Sequence, residues 1–483
     1  MQRQQARERL LREQAEREPD VHLQAPEGMP QDAGLPDGES PCMRIDRIEL
    51  TGDDAGDFAW VLEAASRRVD GVADPVAGRC LGTQGVDLVM RRMQGALVAR
   101  GFVTSRVLAA PQDLSTGILR LVLLPGRVRD IRFTQDSGAR AQARNAVPVS
   151  AGELLNLRDI EQALENFRRV PTVQAQVDIL PAEPAPGEPP AQAGDSDLLI
   201  RWTQSSPARL VFSADNFGSR ATGRRQGAAT LFLDAPLQLN DLLYVTLQND
   251  LGGGDAGDRG TWGRAAGYSL PWGHWLMGFS ASRSRYHQTV AGDVEDYVYS
   301  GNTRQADIRL TRTLHRTALG KTAMTLRGWT RESFNFIDDL EMVSQRRRTA
   351  GWELSMKHRG SVGATALDLE LTWRRGTGAW QALPAREEAR GEGASRPGIL
   401  GADAMYMAPF QVGGQRLRWS TTWRAQWSRT PLVPQDRFNI GCHCNVRGFD
   451  GEYGLQAQRG WLLRQELGGL VEGSLRAAEQ ALE

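Results

Sequence analysis

From Arg209 onward the chain alternates polar and apolar residues with a period of two. In ALDLELTWR, Leu367, Leu369, Leu371 and Trp373 share one face while Asp368, Glu370, Thr372 and Arg374 share the other. RLRWSTTWRAQW repeats the pattern, setting Leu417, Trp419, Thr421, Trp423, Ala425 and Trp427 against Arg416, Arg418, Ser420, Thr422, Arg424 and Gln426. A period of two is that of an extended strand, whose successive side chains point to opposite faces. LLYVTLQ, WLMGFSAS, ADIRLTR, AMTLRGW and GWELSMK read the same way, so the second half reads as a series of strands.

Two architectures alternate like this. A soluble sandwich turns its charged face to water and packs its apolar face on a second sheet. A transmembrane barrel inverts that arrangement, with apolar residues against lipid and charges lining a lumen. Segments of about ten residues or more are long enough to cross a bilayer at a tilt. Eleven of the thirteen tryptophans lie after residue 208, several near segment ends, such as Trp262, Trp272, Trp275 and Trp461. Charged loops such as 381–398 separate the segments. These features favour the barrel. A helical span is excluded, because no run of about 18–20 apolar residues exists.

The chain carries 58 basic and 58 acidic residues. Its arginines are spread along the strands beside acids, whereas a nucleic-acid binder gathers them into a phosphate-reading patch. The start, MQRQQARERLLREQAEREPD, has no apolar core, so it is not a signal peptide; either export is absent, or a leader has been removed or left out of this start site. Residues 2–18 read as a polar helix with only Leu10 and Leu11 as large apolar residues, too few for a core-facing stripe. Residues 19–41, rich in Pro, Gly and acids, read as an extended linker.

Between linker and sheet an order of elements recurs. MRIDRIEL reads as a strand, DFAWVLEAASRRV and VDLVMRRMQGALVARG as amphipathic helices, and SRVLAA and GILRLVLL as strands. RVRDIRF, a short helix near 139–146, LNLRDIEQALENFRRV, VQAQVDIL and SDLLIRW repeat that order. Two βααββ units of about 80 residues result, each laying helices on a small sheet. Cys42 and Cys80 bracket the first unit, as a disulfide or as two buried thiols. Cys442, His443 and Cys444 lack a second cluster and fall short of a tetrahedral metal site. His274, His287 and His315 stand alone on strands, and Asp338 with Asp339 lies in a loop, so no catalytic constellation is found.

These pieces, in this order, resemble the outer-membrane transporters of two-partner secretion, the family of the filamentous haemagglutinin transporters and haemolysin activators. The likeness runs from PCMRIDRIELTG and RCLGTQGVDLVMRRMQGALVARGFVTSRVLAAPQDLSTGILRLVLLPGRVRDIRF through LNLRDIEQALENFRRVP, DNFGSRATGRRQG, ASRSRYHQTVAG and SFNFIDDLEMVSQRRRTAGWEL. It ends with RTPLVPQDRFNIG, VRGFDGE and RGWLLRQEL. It implies an N-terminal plug helix (1–20), a linker (21–41), two α+β POTRA domains (42–124 and 125–206) and an antiparallel transmembrane β-barrel (207–483). Residues 428–459 would be a loop folded back into that barrel. In the family, the arginine of the VRG[FY] segment pairs with an acid on the inner wall. Val446, Arg447, Gly448, Phe449 and Asp450 match the segment, and Arg447 offers a carboxylate a bidentate fork.

The implied activity is export of an unfolded partner from periplasm to cell surface, without ATP, cofactor, metal or enzymatic step. The partner is a secreted exoprotein of the haemagglutinin or haemolysin kind with an N-terminal secretion domain. Its segments would add to exposed edges among strands 104–124 and 173–204, or lie beside helices 86–101 and 155–170. Asp368, Glu370, Arg374, Arg416, Arg418 and Arg424 would line the lumen. The chain is expected in the bacterial outer membrane as a monomer in contact with lipid, its POTRA domains periplasmic and no nucleic acid bound.

The pattern departs from the family near its end. About twelve strands are counted where the family has sixteen, and LRAAEQALE reads as helix. A truncated, non-functional remnant is therefore one alternative, and an Omp85-type assembly factor another. The acid expected to meet Arg447 falls on a missing strand, leaving Glu466 as a substitute. GCHCN also differs from the family's residues ahead of the VRG segment.

Overall fold

The structure, a computed structural model, describes residues 16, 19–23, 34–66, 68–69, 72–183, 192–441, 446, 452 and 454–469. The plug helix, apart from Glu16, lies outside the described residues, as do Cys442, His443, Cys444, Arg447, Gly448, Phe449, Asp450 and the segment 470–483.

The first module contains β1 (Met43–Ile45), β2 (Arg47–Thr51), α1 (Val61–Ala65), β3 (Arg68–Val69), β4 (Val72–Ala73), β5 (Arg79–Leu81), α2 (Thr83–Ala99), β6 (Arg106–Leu108) and β7 (Ile118–Leu124). Its three-stranded sheet has the order β2-β7-β6, and β1 pairs with β5. Leu119, Leu121 and Leu123 alternate inward from β7 and meet Leu88, Val89, Met93 and Leu97 of α2. Cys42 is disulfide-bonded to Cys80 at the β1–β5 pairing. Sequence alternation missed β5, whose pairing with β1 spans only three residues.

The expected helix 57–69 shrinks to α1, a single helical turn preceded by turns from Asp53 to Trp60. Trp60 at its start provides no capping side chain. A helix this short is marginal by itself, so the packing of Phe58, Val61 and Ala65 into the core holds it.

The second module contains β8 (Val128–Phe133), α3 (Leu157–Arg168), β9 (Val173–Pro181) and β10 (Ser196–Gln204), with sheet order β8-β10-β9. The local sequence explains α3. Asn156 accepts the Arg158 N–H at 2.9 Å as N-cap, Asp159 and Arg168 suit the dipole at opposite ends, and Pro171 follows the last turn. Leu157, Ile160, Leu164 and Phe167 fill the core beneath the sheet.

Residues 139–146 form turns, not the expected short helix. Their backbone is engaged elsewhere: the Asn145 carbonyl accepts from Gly273 N–H at 2.8 Å and the Gln142 carbonyl from Asn240 Nδ2 at 2.9 Å. Within the expected edge regions, β7 and β10 are central strands; β6 and β9 are edges.

The remaining strands are β11 (Ala208–Asp215), β12 (Gln226–Asp234), β13 (Leu242–Asp250), β14 (Arg259–Trp272), β15 (Trp275–Val290), β16 (Tyr297–Arg316), β17 (Gly320–Ile337), β18 (Leu340–Glu341), β19 (Arg347–Val362), β20 (Thr365–Thr377), β21 (Gly398–Val412), β22 (Gln415–Ser428), β23 (Phe438–Ile440), β24 (Leu455–Ala457) and β25 (Gly460–Gly469). Twelve of them form one antiparallel meander from β11 to β25, each neighbour following in sequence except where β18 and the β23–β24 pair are bypassed. Short turns at one end carry the modules' contacts, while the long connections 378–397 and 429–459 lie at the other.

Candidate functional site

The sheet's two faces answer the question left by its alternation. On β20, Leu369, Leu371 and Trp373 are 40%, 53% and 49% exposed. The opposite face is more shielded, and its charges pair. Asp368 lies 3.4 Å from both Lys357 and Arg359, and Arg374 lies 2.7 Å from Glu353. Among the described residues no second layer covers Leu369, Leu371 and Trp373, so apolar side chains face outward and charges inward, the arrangement suited to hydrocarbon around a polar interior.

Inward charges continue from strand to strand. Arg374 and Arg327 both reach Glu353, at 2.7 and 3.6 Å; Arg327 and Arg309 both reach Asp307, at 3.2 Å each. The ladder thus crosses β20, β19, β17 and β16. At its end Arg309 meets Glu16 of the N-terminal segment through two contacts, of 2.8 and 2.9 Å. Tyr244 of β13 donates to the same carboxylate at 3.3 Å. An N-terminal carboxylate therefore lies against the inner face, held by strands three places apart in the sheet.

Of the other sequence-predicted inner residues, Arg424 meets Asp403 at 2.6 Å. Glu370, Arg416 and Arg418 share that face by strand register, and Glu466 lies 3.8 Å from Arg464. In the 428–459 connection, Asp436 lies 3.8 Å from Arg331 on the inner side of β17, and Glu452 accepts the Arg220 N–H at 3.0 Å. Val446 is half-buried in this connection; its neighbours Arg447 to Asp450 are outside the described residues. Among the described residues no group of three or more His, Cys, Asp or Glu could hold a metal.

A second cluster was not anticipated from sequence. Helix α3 buries its polar face as well as its apolar one, because that face docks on the sheet's short turns. Glu161 and Glu165 are one turn apart, a like-charge spacing unfavourable in an isolated helix. Three cations from two sources offset it. Arg158 reaches Glu161 at 2.5 Å; Arg316 reaches Glu161 at 2.8 Å and Glu165 at 2.7 Å; Lys321 reaches Glu165 at 2.8 Å. Burial disfavours the charged Glu165 carboxylate, but the Arg316 hydrogen bond and the charges of Lys321 and Arg316 outweigh it and hold its pKa below the usual value.

A register shift in β16 makes this possible. Thr313 pairs with Ala323, but His315 pairs with Thr322 and Arg316 with Lys321, leaving Leu314 as the extra residue of a bulge. Without it, strict alternation from Arg309 would send Arg316 to the outer face; the bulge turns it inward beside Lys321.

The joint around this cluster is built largely from asparagines. Asn166 donates to the carbonyls of Gly273 and Ala146 at 2.8 and 2.7 Å, and Asn145 to those of Leu239 and Pro271. Gly273 holds a left-handed turn (φ +56°) between β14 and β15 that presents its carbonyl to Asn166. His274, expected to stand alone, lies 3.1 Å from Asp159, and His287 lies 3.2 Å from Asp258. One sequence signal could have located the cluster: the paired glutamates flanking the helix's apolar stripe, which require cations from outside the helix.

The comparisons agree on the chain's kinship. Residues 194–477 match the profile described as haemolysin secretion/activation protein ShlB/FhaC/HecB, residues 43–126 a ShlB-type POTRA domain, and residues 127–181 a POTRA domain. The chain is 36% identical to the outer membrane transporter CdiB-2 of Burkholderia pseudomallei strain 1026b over 469 residues, covering 93% of this chain and 77% of the relative. The solved structure of CdiB from Acinetobacter baumannii superposes with a TM-score of 0.81 at 28% identity, covering 98% of this chain and 84% of that one. CdiB from Escherichia coli superposes with a TM-score of 0.79 at 25% identity, over 96% and 82% of the two chains.

Proposed function

Because the chain belongs to the ShlB/FhaC/HecB family of haemolysin secretion/activation proteins, we propose that it captures an unfolded exoprotein with its POTRA domains and passes it through the barrel without ATP. The family is that of the two-partner secretion transporters of the outer membrane, with POTRA domains in the periplasm. The exoprotein, of the haemolysin or haemagglutinin kind, enters through backbone pairing at a module edge, which holds an extended chain with little demand on its sequence. The strands at the sheet edges for this are β6 and β9, and β2 and β8 on the opposite sides. The protein acts as a monomer and performs no enzymatic step.

The observation that carries this reading is the inward ionic ladder ending on Glu16. Its charges satisfy one another, so the wall offers a passing chain many weak contacts and no deep trap. The N-terminal helix occupies this lumen at rest, anchored by Glu16, and yields when the exoprotein arrives. Asp368, Glu370, Arg374, Arg416, Arg418 and Arg424 belong to the same wall. Arg447, at the tip of the 428–459 connection, pairs with an inner acid to keep that connection folded in, with Gly448 permitting the turn and Phe449 wedging against the wall.

The test is secretion of a co-expressed exoprotein by the full chain carrying a leader. Membrane fractionation is expected to recover the chain in the outer membrane. Arg447→Ala is expected to abolish secretion while leaving that recovery intact. Secretion at the unaltered level would remove Arg447 from the mechanism, and recovery of the chain in the aqueous fraction would overturn the export reading itself.

A further inference from the structure

The charged cluster on α3 does more than join module to sheet, because a piece of the N-terminal segment lies across it. Val21 N–H donates to Glu165 Oε1 at 3.2 Å, Leu23 N–H donates to Glu161 Oε1 at 2.8 Å, and Arg316 donates to the Val21 carbonyl at 2.5 Å. Val21 is buried in the core cluster of the second module, and Leu23 packs against its edge. His22 between them is exposed and lies 3.1 Å from Asp20.

Three side chains thus read three backbone groups, while two apolar side chains two residues apart fill the surface between them. Recognition of this kind specifies an extended backbone and apolar residues at positions i and i+2. Almost any unfolded chain can supply both.

The segment is tied down separately at the first module. Leu35 is buried there, and its N–H donates to Asp74 at 2.8 Å. Glu39 accepts the N–H groups of Gly82, Gln84 and Gly85 at 2.7, 2.9 and 3.1 Å, capping the start of α2, which has no cap of its own. The Cys42–Cys80 disulfide follows directly. Release of Val21–Leu23 therefore leaves the segment tethered at residues 35–42.

We propose that the α3 surface formed by Glu161, Glu165 and Arg316 is a receptor for an extended apolar segment of the exported chain, occupied at rest by Val21–Leu23. An incoming segment that takes their place frees the stretch next to Glu16, so arrival of cargo and unplugging of the lumen become one exchange. This inference rests on the export reading and deepens it. The resting occupant is favoured by its tether, which gives it an effective concentration of the order of millimolar. A free peptide competes poorly with it, whereas a long exoprotein also engaged at a module edge gains the same advantage.

The test uses the full chain in detergent and a fluorescent peptide of residues 19–26, PDVHLQAP, followed by anisotropy. The double variant Val21→Asp, Leu23→Asp is expected to empty the surface and bind the peptide at least tenfold tighter than the unaltered chain does. A peptide carrying the same two aspartates is expected to bind it at least tenfold more weakly. Adding Glu165→Gln to the double variant is expected to reduce binding of PDVHLQAP severalfold. Equal binding by both chains, or of both peptides, overturns the proposal. Should the double variant fail to fold, PDVHLQAP added to the unaltered chain well above that millimolar effective concentration is expected to accelerate tryptic cleavage after Arg17, and an unchanged rate overturns the proposal. A chain that binds the peptide yet secretes no exoprotein overturns the export reading and leaves the receptor standing. A chain that secretes, but whose emptied surface binds neither peptide, does the reverse.

Discussion

Helix α3 and strand β20 are both half apolar and half charged, yet the fold treats them in opposite ways. In α3 the apolar stripe is sealed, with Phe167 at 0% exposure, and the surrounding solvent is water. In β20 the apolar stripe is the outer surface and the charged stripe is enclosed. Hydrophobic patterning therefore divides an element into two faces without saying which one is interior. That is decided by the solvent on the far side: water drives apolar groups together, and hydrocarbon accepts them. The joint between the regions is where the two regimes meet, and there α3 buries both of its faces.

The largest break in this comparison is expected from Phe167→Ala. It empties a packed core and costs about 3–5 kcal/mol, which lowers the first thermal transition of the solubilised chain and spares the sheet. A change confined to the sheet's transition would contradict a water-driven core in the second module. Next comes Leu371→Arg, near the middle of β20. A cation facing hydrocarbon costs about 2–4 kcal/mol at mid-bilayer depth, whereas the same change on a water-exposed strand is expected to cost within about 0.5 kcal/mol. Urea unfolding in lipid vesicles separates the two, and a small value would mean that the apolar face does not meet lipid.

The smallest effect tests the joint. Because the Glu165 pKa is lowered by Arg316 and Lys321, its contribution to docking is complete above the ordinary value of 4.5 and is lost as pH falls below it through the folded value. Protease resistance of the module–sheet junction is expected to hold at neutral pH and decline in that acid range, and Glu165→Gln is expected to weaken that decline. A pH dependence unchanged in the variant would assign it to other carboxylates.

Much of this was legible in the residues. The period of two placed Leu369 and Asp368 on opposite faces, and the apolar spacing of LNLRDIEQALENFRRV marked α3 to within two residues of its ends. The expected helices near 57–69 and 139–146 were not so legible. The first depends on packing around Phe58 and Val61, and the second gives way to turns whose carbonyls accept from Gly273 and Asn240. Both outcomes are set by residues far away in the chain, which local propensity does not register. The Glu161–Glu165–Arg316–Lys321 cluster was missed for the same reason, since Arg316 depends on a bulge at Leu314 that strict alternation would never predict.

The sequence alone determined the strand period, the order of modules and sheet, and the kinship that both imply, because these follow from residues near one another or from motifs in a fixed order. The tertiary structure decided which face of the sheet is enclosed, where the N-terminal segment rests, and how α3 satisfies two adjacent glutamates. The last two depend on groups about 140–300 positions apart in the chain, and only folding brings their charges and hydrogen-bonding atoms within reach of one another.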